Sequence, residues 1–140
     1  MHPFRKAVEE RDEAAIQALL ADDVVFTSPV AFKPYVGKPI TAAFLRGVLR
    51  IFEDFRYVRE IADANGRDHA LVFETGISGV PGVKVNGCDF LHVNDDGLID
   101  NFMVMVRPLS GATALSEAMG AQFDRIQQEA LELANQFTTA

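Results

Sequence analysis

The chain has 140 residues, 49% of them hydrophobic, and a formal net charge of −7. This composition suits a single domain over residues 1–140 with a sizeable core, and its acidity argues against nucleic acids and acidic membranes as partners. One cysteine, Cys88, excludes an intrachain disulfide, and no apolar run approaches the roughly 20 residues of a membrane span. We therefore expect a cytoplasmic protein.

Helices and one strand are predicted for the first third of the chain. Residues 4–20 carry apolar side chains at helical spacing, and Asp12 is placed to cap a second short helix within this segment. Residues 24–28 have a strand pattern, and a proline-rich loop follows at 29–37. Pro39 then suits the first turn of another helix, where its missing N–H costs nothing.

Four further strands and a long helix are predicted for the remainder. The strands are expected at residues 55–61, 70–78, 84–93 and 98–107, and the helix at about 111–137. Short turns between these strands favour antiparallel pairing. An α+β fold results, in which helices lie across one curved antiparallel sheet and enclose a cone with an open end.

The element order and several short motifs resemble the SnoaL-like branch of the nuclear transport factor 2-like superfamily. The motifs are LLADDVVF at 19–26 before Ser28-Pro29, GKPI at 37–40, DDGLI at 95–99 and, as in a bacterial subgroup, FMVMVRPLS at 102–110. The resemblance covers about residues 4–107 and implies the cone-shaped, cystatin-like fold with an additional C-terminal helix. It does not imply one activity, because this scaffold hosts isomerases, cyclases, hydrolases, dehydratases and simple binders.

Within this resemblance, ketosteroid isomerase offers three roles to compare with the sequence. Its carboxylate base corresponds to Ser28, which cannot take a proton from carbon without a strong base beside it. Its donor tyrosine corresponds to Phe4, which has no donor, whereas its third group, a carboxyl, corresponds to Asp89. With two of three roles unfilled, the residues argue against ketosteroid isomerase activity.

Two other activities of the scaffold make different demands. Limonene epoxide hydrolase uses an Arg-x-Asp pair, but Gly87 stands where the arginine would precede Asp89. Polyketide cyclases of the SnoaL type need an apolar cavity and one acid–base carboxyl group, which Asp89 could supply. The resemblance therefore leaves a cofactor-independent isomerisation, cyclisation or dehydration open, with Tyr35 or Tyr57 assisting Asp89 through a phenol.

The role of Asp89 depends on the direction of its side chain. Alternation along the strand puts Asp89 on a face with Leu91 and the opposite face carries Phe90 and His92, so both faces are mixed. The resemblance implies that Asp89 points inward, where burial would raise its pKa. The alternative is an exposed Asp89 paired with Lys84 or an arginine.

The expected pocket wall comes from the strands, the loop and the third helix. Asp100 shares a strand face with Phe102, but it follows a turn and is expected to be solvated. Plain core packing is the alternative for each aromatic residue, and no His, Cys and Asp spacing indicates a metal site. The predicted wall residues are Phe26, Ser28, Phe32, Phe44, Val48, Phe52, Phe55, Phe73, Thr75, Leu91, Phe102, Val104 and Val106.

The outer face of the sheet predicts a homodimer. It would carry Phe90, His92, Met103 and Met105, an apolar patch that a partner subunit would cover. The alternative is that the C-terminal helix folds back over this patch. Three functions thus remain: an enzyme acting on a small apolar molecule, a binding protein without chemistry, and a homodimeric interaction module with a filled cone.

Overall fold

The structure, a computed structural model, describes residues 1–139 and follows the predicted order of elements. Asp12 ends the first helix segment and caps the second, because its side chain accepts a hydrogen bond from the Ala15 N–H at 3.1 Å. The helices are α1 (Pro3–Glu9), α2 (Glu13–Ala18), α3 (Lys38–Ile51), α4 (Leu109–Ala121) and α5 (Phe123–Thr139). The strands are β1 (Leu20–Thr27), β2 (Tyr35–Val36), β3 (Phe52–Ala62), β4 (Asp68–Ile77), β5 (Val80–Val93) and β6 (Ile99–Arg107).

The six strands form one sheet in the order β2-β1-β6-β5-β4-β3. Strands β3, β4, β5 and β6 pair with one another in antiparallel fashion, as their short connections predict. At its other edge, β6 pairs with β1 in parallel. The short strand β2 falls within the predicted loop and pairs with β1. The α+β fold with a mainly antiparallel sheet is therefore confirmed.

Two bulges in β3 bend the strand around the helices. One lies at Asp54, which adopts a φ of 53°, and the other follows Tyr57. A bulge adds one residue against its neighbour strand and increases the local twist. The first bulge also resets the alternation of side chains, so that Phe52, Phe55 and Tyr57 all face the interior despite their unequal spacing.

Strand β5 shows clear alternation, and its inner face includes Gly87 and Asp89. The aromatic ring of Phe73 lies directly over Gly87. A Cβ atom at position 87 would be 2.1 Å from Phe73 Cζ, far inside van der Waals contact. Glycine is required here by close packing, and the same ring leaves no room for the arginine of an Arg-x-Asp pair.

The C-terminal segment forms two helices rather than the single predicted one. The division lies at Gln122, whose amide group donates to the Gly47 carbonyl at 2.8 Å and accepts from Arg50 Nε at 2.9 Å. These bonds tie the turn to α3, and Phe123 immediately after it contributes to the interior. Within residues 1–139, no helix has both the length and the apolar character needed to cross a bilayer.

Helix α5 is held against α3 by a carboxylate between two guanidinium groups. Glu129 accepts hydrogen bonds from Arg46 at 2.8 Å and pairs with Arg50 at 2.7 Å, and Arg46 also pairs with Glu13 of α2. Burial acts to raise the pKa of Glu129, but the hydrogen bonds from the two arginines outweigh it and lower that pKa. The pairing therefore stabilises the position of α5 while Glu129 is ionised.

Candidate functional site

The helices and the inner face of the sheet enclose a cavity of about 240 Å³. A water occupies roughly 30 Å³ in the liquid, so the cavity exceeds the space of a few waters and the cone is not filled. The lining is mostly aromatic and aliphatic. Its aromatic members are Phe4, Phe26, Tyr35, Phe44, Phe52, Phe55, Tyr57, Phe73, Phe102 and Phe123.

One buried carboxyl group interrupts this apolar lining. Asp89 projects from the inner face of β5 and is only 7% exposed. Its Oδ2 atom accepts a hydrogen bond of 2.8 Å from the phenol of Tyr57 on β3. Within residues 1–138, Tyr57 is the one group that donates to Asp89, so the rest of the carboxyl group is available to a molecule in the cavity.

The environment of Asp89 changes its acidity. Burial raises the pKa of Asp89 from about 3.8 to about 7, and the Tyr57 hydrogen bond acts in the opposite direction. Burial and the neighbouring Asp89 raise the pKa of Tyr57, so the phenol keeps its proton. Near neutral pH, Asp89 is thus present in both its protonated and its ionised form, as a group that gives and takes protons requires.

Most of the residues predicted for the site lie around this one cavity. Tyr35 is among them, but its ring packs on Phe44 with centroids 4.6 Å apart, and it is Tyr57 that binds Asp89. The predicted residues found in the lining are Phe26, Ser28, Tyr35, Phe44, Val48, Phe52, Phe55, Tyr57, Phe73, Asp89, Phe102, Val104 and Val106.

Three predicted wall residues lie elsewhere, and their predicted positions were wrong. Phe32 is fully exposed and follows the lining residues 28–31 in a loop that turns at Ser28, whose Oγ accepts from the Val30 N–H. Thr75 is buried, but its hydroxyl group is bonded to backbone carbonyls beside β3 rather than facing the cavity. Leu91 is packed in the core opposite Phe102 and does not reach the cavity.

Helices α1, α2, α4 and α5 also contribute to the lining, which the sequence patterns did not predict. Residues of α1 and α2 close one side of the cavity, and α4 with the start of α5 closes another. Their apolar spacing predicted only that these faces are buried, because periodicity does not say which neighbour a face meets. The additional helical lining residues are Phe4, Val8, Ile16, Leu45, Leu49, Leu115, Ser116, Met119, Gly120 and Phe123.

The outer face of the sheet remains open. Met105 is 54% exposed and Phe90 is 37% exposed, and His92 Nδ1 lies 2.7 Å from Asp100 Oδ1. The C-terminal helices do not fold over this face, since α4 reaches the cavity through Leu115 and α5 packs on α3. Among the residues that the structure describes, no three His, Cys, Asp or Glu side chains are grouped as a metal site would require.

Comparisons with known proteins agree with this architecture. A family model described as a SnoaL-like domain matches residues 2–102. A Pseudomonas aeruginosa structure described as a steroid delta-isomerase is 39% identical, with 89% of each chain covered and a TM-score of 0.81. A Silicibacter pomeroyi protein with a cystatin-like fold is 36% identical, with 87% of this chain and 86% of that chain covered and a TM-score of 0.79.

More distant structures share the fold alone. A Pseudomonas putida protein described as a candidate polyketide cyclase is 20% identical, covering 78% of this chain and 89% of that chain with a TM-score of 0.62. A comparison with curated protein sequences gives no match.

Proposed function

The chain belongs to the SnoaL-like domain family, and from that premise we propose that it binds a small, mostly apolar molecule and moves a proton on it with Asp89. The observation that carries the proposal is a single carboxyl group, with its pKa raised to about 7, inside an otherwise apolar cavity. The relative described as a steroid delta-isomerase supports the same type of chemistry.

The size and lining of the cavity restrict the ligand. Its volume of about 240 Å³ lies between an engineered cavity of roughly 150 Å³ that holds benzene and the roughly 300 Å³ at which drug-sized sites begin. A molecule with one or two rings fits that interval. Among the described lining residues there is no lysine, arginine or histidine, so an uncharged ligand with a carbonyl group is favoured over an anion.

In the reaction that we propose, Asp89 both takes and returns the proton. As a carboxylate it removes a proton from the carbon next to the carbonyl group, and the C–H electron pair passes into the enolate. The protonated carboxyl group then delivers that proton to another carbon, which regenerates Asp89 and shifts the double bond. Ser28 and Phe4 line the cavity but supply neither base nor donor, and the scheme uses no cofactor. Tyr57 positions the carboxyl group through its hydrogen bond.

Replacing Asp89 with asparagine tests this role while keeping an acceptor for Tyr57. We expect turnover of cyclic β,γ-unsaturated ketones, followed as conjugated enone by ultraviolet absorbance, to fall by at least about 100-fold, the usual contribution of a general acid–base group. Asp96→Asn, in the exposed turn between β5 and β6, is the matched control and should retain activity. Turnover that survives Asp89→Asn would exclude the catalytic role.

A binding protein without chemistry is the second candidate. It is favoured if the wild-type protein binds the conjugated ketone but converts none of the unsaturated substrates, and if Asp89→Asn alters affinity alone. Binding is measured by titration calorimetry on the same compounds. Comparing affinity with turnover for each compound then distinguishes a catalyst from a protein that only binds.

We also propose a homodimer formed through the outer face of the sheet. Phe90, His92, Met103 and Met105 are the residues that a second copy would cover, and Met105 is more than half exposed. Size-exclusion chromatography with light scattering should give twice 15.4 kDa at micromolar concentration, and Met105→Lys should shift the protein toward the single chain. A wild-type mass of 15.4 kDa would contradict the dimer.

A cytoplasmic location completes the proposal. Cys88 has no second cysteine in the sequence with which to form an intrachain bond. The pKa of the Cys88 thiol is raised, mainly by burial and to a smaller extent by the negative charge of the nearby Asp89. The thiol therefore stays protonated and reacts poorly. Such a thiol is compatible with a reducing compartment.

A further inference from the structure

The cavity opens to solvent where its lining residues are exposed. Most lining residues are buried or half-buried, whereas Val30, Ser116 and Gly120 are exposed. Val30 belongs to the loop after β1, and the other two residues lie one turn apart on α4. The opening therefore lies between residues 28–31 and the C-terminal half of α4.

Gly120 has no conformational reason to be glycine. It lies in α4 with helical backbone angles, not in the left-handed region that favours glycine at a helix end. In a helix, glycine is less favourable than alanine because it gives up more backbone freedom on folding. The residue type at position 120 therefore costs stability without serving the backbone.

Packing does not explain Gly120 either. A Cβ atom built at this position meets no atom within 4 Å, in contrast to Gly47, where it would lie 2.9 Å from Ile126. The space in front of Gly120 is open, and Gly120 lines the cavity. A side chain at position 120 would therefore meet no steric obstacle beside the exposed part of the cavity lining.

We infer that the ligand enters between residues 28–31 and α4, and that Gly120 sets the width of this opening and so the size of the molecules that reach Asp89. The inference rests on the proposed ligand-binding function. Because α4 follows residue 102, where the family match ends, the Gly120 side of this opening lies outside the matched domain, whereas residues 28–31 lie within it.

The test measures the rate at which a ligand enters. Stopped-flow fluorescence with N-phenyl-1-naphthylamine, an uncharged apolar probe, should show an association rate at least 10-fold lower for Gly120→Leu than for the wild type. Its equilibrium affinity should change less than the rate, since the chamber is intact. Gly120→Ala should lie between the two proteins, and Ala121→Leu, an exposed neighbour outside the lining, should match the wild type.

The outcomes separate this inference from the proposed function. If the wild type binds the probe and Gly120→Leu associates at the same rate, the opening lies elsewhere and the inference is wrong, while the ligand-binding function stands. If the wild type binds neither the probe nor the small ketones, both proposals are overturned. Thermal unfolding followed by circular dichroism shows that each variant is folded before its rate is compared.

Discussion

The free energy of unfolding of the wild type is expected to fall by about 4 kcal/mol as the pH rises through the titration of Asp89, and that of Asp89→Asn is expected not to show this fall. The figure follows from a pKa shift of about three units, each of which corresponds to about 1.4 kcal/mol. The pKa of Asp89 is about 3.8 ordinarily and about 7 in the folded chain. Between these values the folded state holds a proton that the unfolded state releases, so wild-type stability falls as pH rises through this window. Asparagine does not ionise, and the variant should lack this loss.

The measurement is urea unfolding of both proteins from about pH 3.5 to about pH 8.5, leaving out the pH values next to the isoelectric point near 4.8, where the protein is least soluble. Because all other carboxyl groups are shared, the difference between the two curves isolates Asp89. Tyr57→Phe should move the wild-type transition to higher pH, since the phenol lowers the Asp89 pKa. Parallel curves for wild type and Asp89→Asn would show that this carboxyl group is solvated.

Gly87→Ala is expected to destabilise the protein by about 2–3 kcal/mol, the upper range for overpacking a core. The added methyl group would stand 2.1 Å from Phe73 Cζ. The ring cannot simply move aside, since it packs against Phe52 and Phe55 with ring centroids 5.8 Å and 5.1 Å away. Urea unfolding monitored by circular dichroism gives the change.

A double variant decides whether the clash with Phe73 is the cause. Phe73→Leu alone should also destabilise, because it leaves space in the core. If the ring causes the penalty, Gly87→Ala combined with Phe73→Leu should be clearly more stable than the sum of the two losses predicts. Additive losses would place the cause of the Gly87→Ala effect elsewhere.

The fold was largely predictable because helix-capping and turn residues stand where the chain changes direction. Asp12 marks the division between α1 and α2, and the turn residues at 95–97 mark the hairpin between β5 and β6. The division at Gln122 was not predictable, because it depends on hydrogen bonds to Gly47 and Arg50, which are distant in sequence. Local patterns do not encode such partners.

The site was predictable to the extent that strands alternate regularly. That rule groups Asp89 with Leu91 and Asp100 with Phe102, but both faces of the Asp89 strand are mixed, so the inward direction of Asp89 was implied by the family resemblance. A bulge at Asp100, between the pairs His92–Asn101 and Val93–Ile99, interrupts the second assignment, and Asp100 binds His92. The partnership between Asp89 and Tyr57 spans 32 residues, and only the assembled sheet brings the two side chains together.

The ring of Phe73 above Gly87 also constrains how this chain can acquire other activities. An arginine two positions before Asp89 would be needed for the Arg-x-Asp chemistry of limonene epoxide hydrolase, which uses the same scaffold. Arginine at position 87 cannot be accommodated until residue 73 becomes smaller, and Phe73 is almost fully buried. In evolution or in the laboratory, residue 73 must therefore be replaced by a smaller residue before arginine is introduced at position 87. If arginine came first, the intermediate protein would lose the core packing around Phe73.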